Sequence, residues 1–425
     1  MATVWNYSPD LAFNGQNNGW SVLSSALADG TLQGGTTTLF HVKDGQNLVT
    51  IHGNFVLSNG AIVSGTITSF DAFYGNGSNK LLAASGFAID FNAFSQALSQ
   101  FQASNPLPMY QLILGEPITA NGSDYPYYLE FVIGGYADDQ LFADAGSDLI
   151  YDFGGSDEIY AGPGDDAVVG DLEAFGGVPG DDAIYGGDGD DEIDGGGGDD
   201  FISGGPGKDT IDGGDGSDTA DYSEKTDRLK ARLDGPNETG VTVAGYVEDT
   251  IKNIENLNGG SHNDVFTGDG YANTFVGNGG RDKLKGKNGD DGLFGMEGKD
   301  RLNGGKDADV LSGGLGKDVL RGGPGPDTFL FDVKAKARNA DKVLDFRGKD
   351  MVALEADVFT GVNDSGKLKA KYFVVAKEAQ DKNDHLVYHD GVLGYDRDGS
   401  GGKDARTIAT FKGDPHLSAD DIIMV

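Results

Sequence analysis

Residues 186–221 read GGDGDDEIDGGGGDDFISGGPGKDTIDGGDGSDTAD. Written in rows of nine, this stretch becomes GGDGDDEID, GGGGDDFIS, GGPGKDTID and GGDGSDTAD. Each row has glycine at the first, second and fourth positions, aspartate at the sixth and an aliphatic residue at the eighth. Strict repetition of a short unit predicts an architecture in which each unit packs only against its neighbours.

The same nine-residue register extends on both sides in two blocks. The first block has nine repeats within 134–221, interrupted by the seven-residue insertion GDLEAFG, and the second has eight within 259–330. Between them, residues 222–258 abandon the glycine pattern, although Ile251, Ile254 and Leu257 are still spaced like short strands. We interpret this segment as an interruption of one solenoid or a join between two.

The repeat has a direct physical interpretation. Glycines allow a tight turn with left-handed backbone conformations, and the three residues after the aspartate form a minimal strand whose eighth-position side chain points inward. Two repeats then make one coil of about 18 residues, and coils stack as a parallel sheet about 4.8 Å apart. Calcium binds oxygen at about 2.3–2.6 Å, so an ion fits between successive turns.

The predicted ligands are the sixth-position carboxylates and the backbone carbonyls of the turns above and below. The aspartates are Asp139, Asp148, Asp157, Asp166, Asp182, Asp191, Asp200, Asp209, Asp218, Asp264, Asp282, Asp291, Asp300, Asp309, Asp318 and Asp327. The turn glycines assigned to the same sites are Gly187, Gly189, Gly196, Gly198, Gly205 and Gly207.

Some repeats depart from the pattern, and we expect their sites to be weak or empty. Asn273 replaces the aspartate, Ala137, His262 and Tyr271 replace the fourth glycine, and Asp307 puts a second carboxylate there. A disordered acidic linker is the alternative interpretation of such a composition. That alternative does not require an aliphatic residue in every repeat.

The charge of the chain agrees with a cationic partner. The 425 residues carry 68 acidic and 32 basic side chains, a formal net charge of −36, which argues against nucleic acid as a partner. If each ion bridges turns two repeats apart, the blocks hold about seven and about six sites, and about 13 calcium ions neutralise most of the excess. Without metal the carboxylates repel and the thin aliphatic core cannot offset chain entropy, so we expect binding and folding to be coupled.

These repeats resemble the RTX (repeats-in-toxin) family over roughly residues 134–332. The resemblance implies a mainly β protein, with a parallel calcium-binding β-roll in two blocks. The last residues, 331–425, resemble the flank of serralysin-like RTX proteins in phrases such as ADKVLDFRGKDMVAL and LSADDIIMV. That likeness implies a β-rich cap and an uncleaved signal for the type I secretion machinery. Consistent with this route, MATVWNYSPDLAFNG lacks the features of a cleavable signal peptide, and the sequence predicts no membrane span.

Residues 1–133 look like a separate, small α+β domain. Segments such as TTLFHV, NLVTIHGNFVLS and AIVSGTITSF have strand composition and are separated by turn residues. A helix is predicted from Asp90, with Phe91, Phe94, Leu98 and Phe101 on one face.

No catalytic motif is found in the sequence. It contains no H-E-x-x-H, no G-x-S-x-G and no cysteine. His385 and His389 have i, i+4 spacing, but the apolar residues between them predict a strand, where that spacing does not converge on a metal. DRDGSG places Asp396 and Asp398 like the first ligands of an EF-hand loop, yet Thr407 stands where a bidentate glutamate is needed, which favours a hairpin turn.

Two classes of function remain open. The favoured one is a non-enzymatic secreted protein, extracellular or bound to a cell surface, that folds on calcium and contacts an extracellular surface, a polysaccharide or a host. The alternative is an RTX enzyme whose N-terminal module is a hydrolase or acts on carbohydrate, through carboxylates such as Asp71, Asp90 or Glu116.

Overall fold

The chain forms two compact units, residues 1–216 and residues 217–425. The computed structural model describes residues 37–44, 47–58, 61–74, 79–90, 119–123, 131–171, 179–362, 365–399 and 405–425. Among these residues no helix is long and apolar enough to cross a membrane. The helix predicted from Asp90 falls outside them, apart from Asp90 itself, which ends a strand.

The first unit begins with an antiparallel meander. Its strands are β1 (Thr37–Asp44), β2 (Asn47–Ser58), β3 (Ala61–Tyr74), β4 (Asn79–Asp90) and β5 (Thr119–Ser123). Each strand pairs antiparallel with the next one in the sequence, and the pairing of β1 with β2 ends at Asp44 and Asn47. β1, β2 and β3 coincide with the segments whose composition predicts strands, whereas β4 and β5 are additional.

The repeats of the first unit form short strands that alternate between two parallel sheets. The strands are β6 (Phe131–Ile133), β7 (Gln140–Asp144), β8 (Leu149–Tyr151), β9 (Glu158–Tyr160), β10 (Ala167–Val169), β11 (Ala183–Tyr185), β12 (Glu192–Gly197), β13 (Phe201–Ser203) and β14 (Thr210–Asp215). Sheet 1A has the order β5-β7-β9-β11-β13, and sheet 1B the order β6-β8-β10-β12-β14. This alternation is the β-roll that the repeat predicts.

The register of the roll follows the eighteen-residue coil. Ile184 pairs with Ile202 in sheet 1A, and Ile193 with Ile211 in sheet 1B. All four side chains are at most 1% exposed, which confirms that the eighth position faces inward. The GDLEAFG insertion leaves this register intact, because Ile184 still pairs with Ile159 on the preceding coil.

The second unit contains the remaining strands. They are β15 (Thr219–Asp221), β16 (Leu229–Arg232), β17 (Thr239–Val243), β18 (Tyr246–Lys252), β19 (Asn256–Asn258), β20 (Val265–Thr267), β21 (Thr274–Val276), β22 (Gly279–Gly280), β23 (Lys283–Lys287), β24 (Gly292–Phe294), β25 (Glu297–Gly298), β26 (Arg301–Gly305), β27 (Val310–Ser312), β28 (Leu315–Gly316), β29 (Val319–Arg321), β30 (Thr328–Phe331), β31 (Asp341–Val343), β32 (Met351–Leu354), β33 (Gly366–Lys367), β34 (Phe373–Val375), β35 (Leu386–His389), β36 (Val392–Tyr395), β37 (Arg406–Phe411) and β38 (Ile422–Met424). Two short 3-10 helices lie at Ala370–Tyr372 and Ala419–Asp421.

Two parallel sheets also organise this unit. Sheet 2A runs β15-β19-β21-β24-β27-β30-β32-β38, and sheet 2B runs β16-β20-β23-β26-β29-β31-β37. The two-residue strands β22, β25 and β28 form a third, narrow sheet. The eighth-position residues Phe266, Phe275, Leu284 and Leu293 are buried, so two phenylalanines, which are larger than isoleucine, contribute to this core.

The segment between the blocks is structured. β16 joins sheet 2B in parallel with β20, and β17 and β18 extend from it as an antiparallel hairpin. β19 takes its place in sheet 2A. Ile251, Ile254 and Leu257 are all buried, so the aliphatic spacing noted in the sequence marks core positions.

Candidate metal centres in the glycine-rich turns

The sixth-position aspartates form ladders of buried carboxylates. All sixteen predicted aspartates are buried, and none is more than 3% exposed. One carboxylate oxygen, Oδ1, accepts the backbone N–H of the equivalent residue one coil earlier. Asp166 N donates to Asp191 Oδ1 at 2.9 Å, and Asp264 N donates to Asp282 Oδ1 at 2.8 Å. Each of these carboxylates is therefore held in place by a hydrogen bond to the equivalent aspartate of the preceding coil.

The second carboxylate oxygen, Oδ2, lacks a hydrogen-bond partner in most of these aspartates, which indicates a cation site. It is buried and accepts no hydrogen bond in Asp157, Asp166, Asp182, Asp191, Asp282, Asp291, Asp300, Asp309, Asp318 and Asp327. A buried carboxylate oxygen without a donor is costly, and repetition of the cost at the same position indicates a shared missing partner. Because a carboxylate is a hard oxygen ligand, calcium suits this position.

The glycines keep the space beside these oxygens open. A Cβ on Gly186, at the first position, would lie 2.5 Å from Asp191 Oδ2 and 2.6 Å from the carbonyl oxygen of Gly204 on the next coil. Gly195 repeats the arrangement with Asp200 and with the carbonyl oxygen of Gly213. Any side chain at the first position would occupy the place where carboxylate and carbonyl oxygens converge.

The second and fourth glycines shape the turn. All six that the sequence assigns to the sites, Gly187, Gly189, Gly196, Gly198, Gly205 and Gly207, have positive φ. A Cβ on Gly205 would lie 2.2 Å from the carbonyl oxygen of Gly187, and one on Gly207 would lie 1.7 Å from that of Gly189. Both positions therefore require glycine for the conformation and for the close approach of carbonyl oxygens between coils.

Burial and like charge make the metal-free ladder electrostatically unfavourable. Desolvation, with the neighbouring aspartates Asp157 and Asp200 as a further cause, raises the pKa of Asp182 to about 9. Desolvation likewise raises the pKa of Asp282 to about 8, with Asp300 and Asp264 adding to the effect. A divalent cation removes both causes, because it solvates the carboxylates and offsets their repulsion.

The first coil holds a cluster that the sequence did not reveal. Oxygens of Asp139, Asp152 and Asp157 lie within 4.8 Å of one another, and all three residues are buried. Desolvation first, and then Asp157, raise the pKa of Asp152 to about 11. Asp152 occupies a first position, where the pattern has glycine, in DFGGSDEIY. The aspartate in place of this glycine is the feature of the sequence that could have predicted the cluster.

The carboxylate ladder of the second unit continues into the C-terminal flank. Asp318 N donates to Asp341 Oδ1 at 3.0 Å, and Asp327 N donates to Asp350 Oδ1 at 3.2 Å. The sequence prediction ended at Asp327, because the flank lacks the glycines. Asp341 and Asp350 are nonetheless nine residues apart, and each precedes a buried valine by two positions.

Glutamate takes the sixth position within the segment between the blocks. Asp218 N donates to Glu255 Oε2 at 3.0 Å, which is the contact that an aspartate makes elsewhere in the ladder. Leu257, two residues later, is the buried eighth-position residue of β19. The pattern NIENLN thus encodes one more coil, with a longer acidic side chain.

The irregular repeats keep the fold but change the ligand set. Asn273 holds the sixth position, and its Oδ1 accepts the N–H of Asp269, but its Nδ2 is buried without an acceptor. Asp307 has a φ of 78° in place of the fourth glycine, and its carboxylate accepts the N–H of Gly289. Tyr271 and His262 are exposed. The expectation that these sites are weak remains a prediction.

The two other candidate motifs lie in the flank. Asp396 Oδ1 accepts the N–H groups of Asp398 and Gly399 in the connection between the antiparallel strands β36 and β37. These are local contacts between the carboxylate and the backbone of the next residues; Ser400 and Gly401 lie outside the described residues, so the hairpin turn remains a prediction. His389 ends β35, and His385, just before that strand, contacts the carbonyl oxygen of Asp396 through Nδ1.

Comparison with known proteins assigns the repeats to a family. The sequence model of the RTX calcium-binding nonapeptide repeat, which spans four copies, matches residues 133–168, 177–202, 185–220, 258–293 and 294–329. The matched segments are therefore RTX repeats, a type of repeat that binds calcium ions. The orphaned Oδ2 atoms and the glycine-lined spaces fit that ion.

Two further comparisons add little. No curated protein matches the chain as a relative. The crystal structure of the extracellular lipase LipA from Serratia marcescens is similar with 18% identity and a TM-score of 0.22, over 61% of this chain. The chain spans 40% of the length of that lipase chain.

Proposed function

We propose that this protein is secreted, that its repeats fold on calcium outside the cell, and that it acts without catalysis at a cell surface, in a matrix or on a host. The observation that carries this proposal is the row of buried Oδ2 atoms that lack a hydrogen-bond donor. In each ladder the calcium ligands are the sixth-position aspartates with the turn carbonyls, from Asp139 to Asp218 and from Asp264 to Asp327.

Calcium dependence supports an extracellular place of action. The sites combine carboxylates with neutral carbonyls on a flexible glycine backbone, and extracellular calcium modules bind with dissociation constants of about 10⁻⁴–10⁻³ M. Such sites fill outside a cell, where calcium is abundant. A chain that stays unfolded until it meets calcium is also suited to export through a narrow channel.

Domain roles follow from the same proposal. We assign 134–221 and 259–330 to the two calcium-binding blocks, with 222–258 as the interruption, 1–133 as the N-terminal domain, and 331–425 as the cap and type I secretion signal. The strands β31, β32, β37 and β38 extend sheets 2A and 2B beyond the last glycine-rich repeat, which supports the capping role.

The backbone positions of Asp71 and Asp90 are far apart for the carboxylate pair of a glycoside hydrolase. Asp71 pairs in register with Ala83, and Asp90 with Thr66 on the neighbouring strand. Five residues along a strand separate these positions by about 16 Å, whereas the two carboxyl groups of a glycosidase are about 5–9.5 Å apart. Glu116 lies outside the described residues.

An export assay tests the proposal. We expect the full chain, produced in a cell with a type I exporter, to accumulate in the medium, and a chain lacking residues 366–425 to remain inside. As a control for misfolding, residues 331–425 fused to an unrelated soluble protein should direct that protein to the medium. Export of the truncated chain, or retention of the fusion, would contradict the secretion signal.

A further inference from the structure

One outer face of the second unit concentrates positive charge in a strongly acidic protein. Lys230, Lys283, Arg301 and Lys342 are exposed residues on strands of sheet 2B. Six more cations on this sheet or beside its first strand are Arg228, Arg232, Lys285, Lys287, Arg321 and Arg406. The described strands of sheets 1A, 1B and 2A contain no lysine or arginine. Among the described strands of the four roll sheets, lysine and arginine therefore occur only on sheet 2B.

The cations lie in register along the sheet. Lys230 pairs with Val265, Val265 with Lys283, and Lys283 with Arg301. The row continues through Val319 to Lys342. Six strands at about 4.8 Å give a row about 24 Å long. Such a row follows the stacking axis of the sheet and is narrow, so it fits a linear ligand.

These cations have little intramolecular compensation. Of the row, Lys230, Lys283, Arg301 and Lys342 form no ion pair within the part of the chain that the structure describes. In the neighbouring column, Arg232 has only a distant partner, Asp234 at 3.8 Å, with both side chains largely exposed. Uncompensated like charges side by side destabilise a sheet, which indicates an external partner.

A cavity lies at the first end of the row. It has a volume of about 350 Å³ and is lined by Arg228, Lys230, Thr242, Gly245, Val265 and Lys283. Tyr246, which follows Gly245 at the tip of the β17–β18 hairpin, is 80% exposed. Cations around a cavity provide charge contacts for one bound unit, and an exposed ring next in the chain to a lining residue offers an apolar surface.

We propose that this row on sheet 2B binds a linear anionic polysaccharide, and that the cavity beside Tyr246 holds one of its sugar units. The charge spacing supports this ligand: the cations lie on four of the six strands, about 5 or about 10 Å apart, which is of the order of one or two sugar units of a polysaccharide chain. Double-stranded DNA carries one charge per about 1.7 Å, which is much denser than the cations along this row. The inference rests on the proposed extracellular function and names its partner class.

The test uses the full chain in saturating calcium, with hyaluronate and dextran sulfate as probes and neutral dextran as the control. We expect binding to both anionic polymers, none to dextran, and affinity that falls steeply with salt. The double variant K283Q/R301Q should bind about 10- to 30-fold more weakly. The matched control K306Q/K349Q, which removes two exposed cations from outside the row, should bind like the unchanged protein.

Several outcomes would overturn the proposal. They are failure of the folded protein to bind either anionic polymer, an equal loss in the control variant, or binding only to vesicles of phosphatidylglycerol or to duplex DNA. If K283Q/R301Q does not fold, the pair K230Q/K285Q gives the same test. Circular dichroism in calcium and in chelator separates the two proposals, because a chain that folds normally on calcium and fails to bind refutes this inference alone.

Discussion

Substitution of Asp191 by asparagine tests whether the Oδ2 atom of a ladder aspartate is a calcium ligand. In D191N the side-chain Oδ1 still accepts the N–H of Asp166, a bond of 2.9 Å. The other oxygen, Oδ2, becomes an NH₂ group that points into the space beside Gly186. A hydrogen-bond donor there repels a cation, and the site loses a negative charge, so we expect one calcium site to be lost.

The size of the effect follows from ligand linkage. A site filled at 100 times its dissociation constant stabilises the folded state by about 2.7 kcal/mol. For a unit of about 200 residues, 1 kcal/mol changes the melting temperature by about 2–4 °C, so losing the site should lower Tm by about 5–11 °C in saturating calcium. The matched control is D188N, because Asp188 is an exposed neighbour with the same charge.

The assay is thermal unfolding of the full chain by circular dichroism, with isothermal titration to count bound calcium. D191N should bind fewer ions and melt earlier, whereas D188N should match the unchanged protein within about 0.5 kcal/mol. The reasoning fails if the two variants lose stability equally, or if D191N keeps its full complement of calcium.

Three further predictions concern the same ladders. Desolvation raises the pKa of Asp191 to about 6 and that of Asp182 to about 9. The calcium-free roll should therefore be most stable below about pH 4 and lose stability as the pH rises through 6–9, while its affinity for calcium increases over the same pH range. Unfolding in chelator and calcium titrations at several pH values would check both trends. N273D should add a ligand, remove the orphaned Nδ2 and raise Tm by an amount that grows with calcium concentration; a rise that does not depend on calcium concentration would contradict the metal-based explanation. The second unit carries Arg281, Lys283 and Lys299 near its turns, so its amides should become protected from hydrogen exchange at a higher calcium concentration than those of the first unit. Hydrogen exchange of peptides from 184–211 and 284–320 would show this order, and the reverse order would contradict the role of local charge.

The regular repeats could be predicted from the sequence because the structure repeats as strictly as the residues do. The interval of nine places Ile184 and Asp182 alike on every coil, so inward side chains and ladder carboxylates follow from counting. Metal coordination adds a second constraint, since glycine at the first position is needed beside Oδ2. Local sequence and tertiary packing agree at these positions, which makes prediction possible.

The parts that escaped prediction lack one of those two constraints. Asp341 and Asp350 continue the ladder without glycine, because the connections in the flank are longer than a repeat turn and do not need the same conformation. Asp152 occupies a glycine position, so the repeat pattern counted it as a deviation. The hairpin β17–β18 depends on antiparallel pairing that no repeat encodes.

The central claim is that calcium bound by buried carboxylates holds the roll together. The most direct test is far-ultraviolet circular dichroism of the full chain at neutral pH during chelation, followed by addition of calcium or of magnesium. We predict that the strand signal of the repeats is lost in chelator, returns with calcium, and does not return at an equal concentration of magnesium, which demands octahedral geometry and retains its waters. A strand signal that persists in chelator, or that returns equally with magnesium, would contradict the claim.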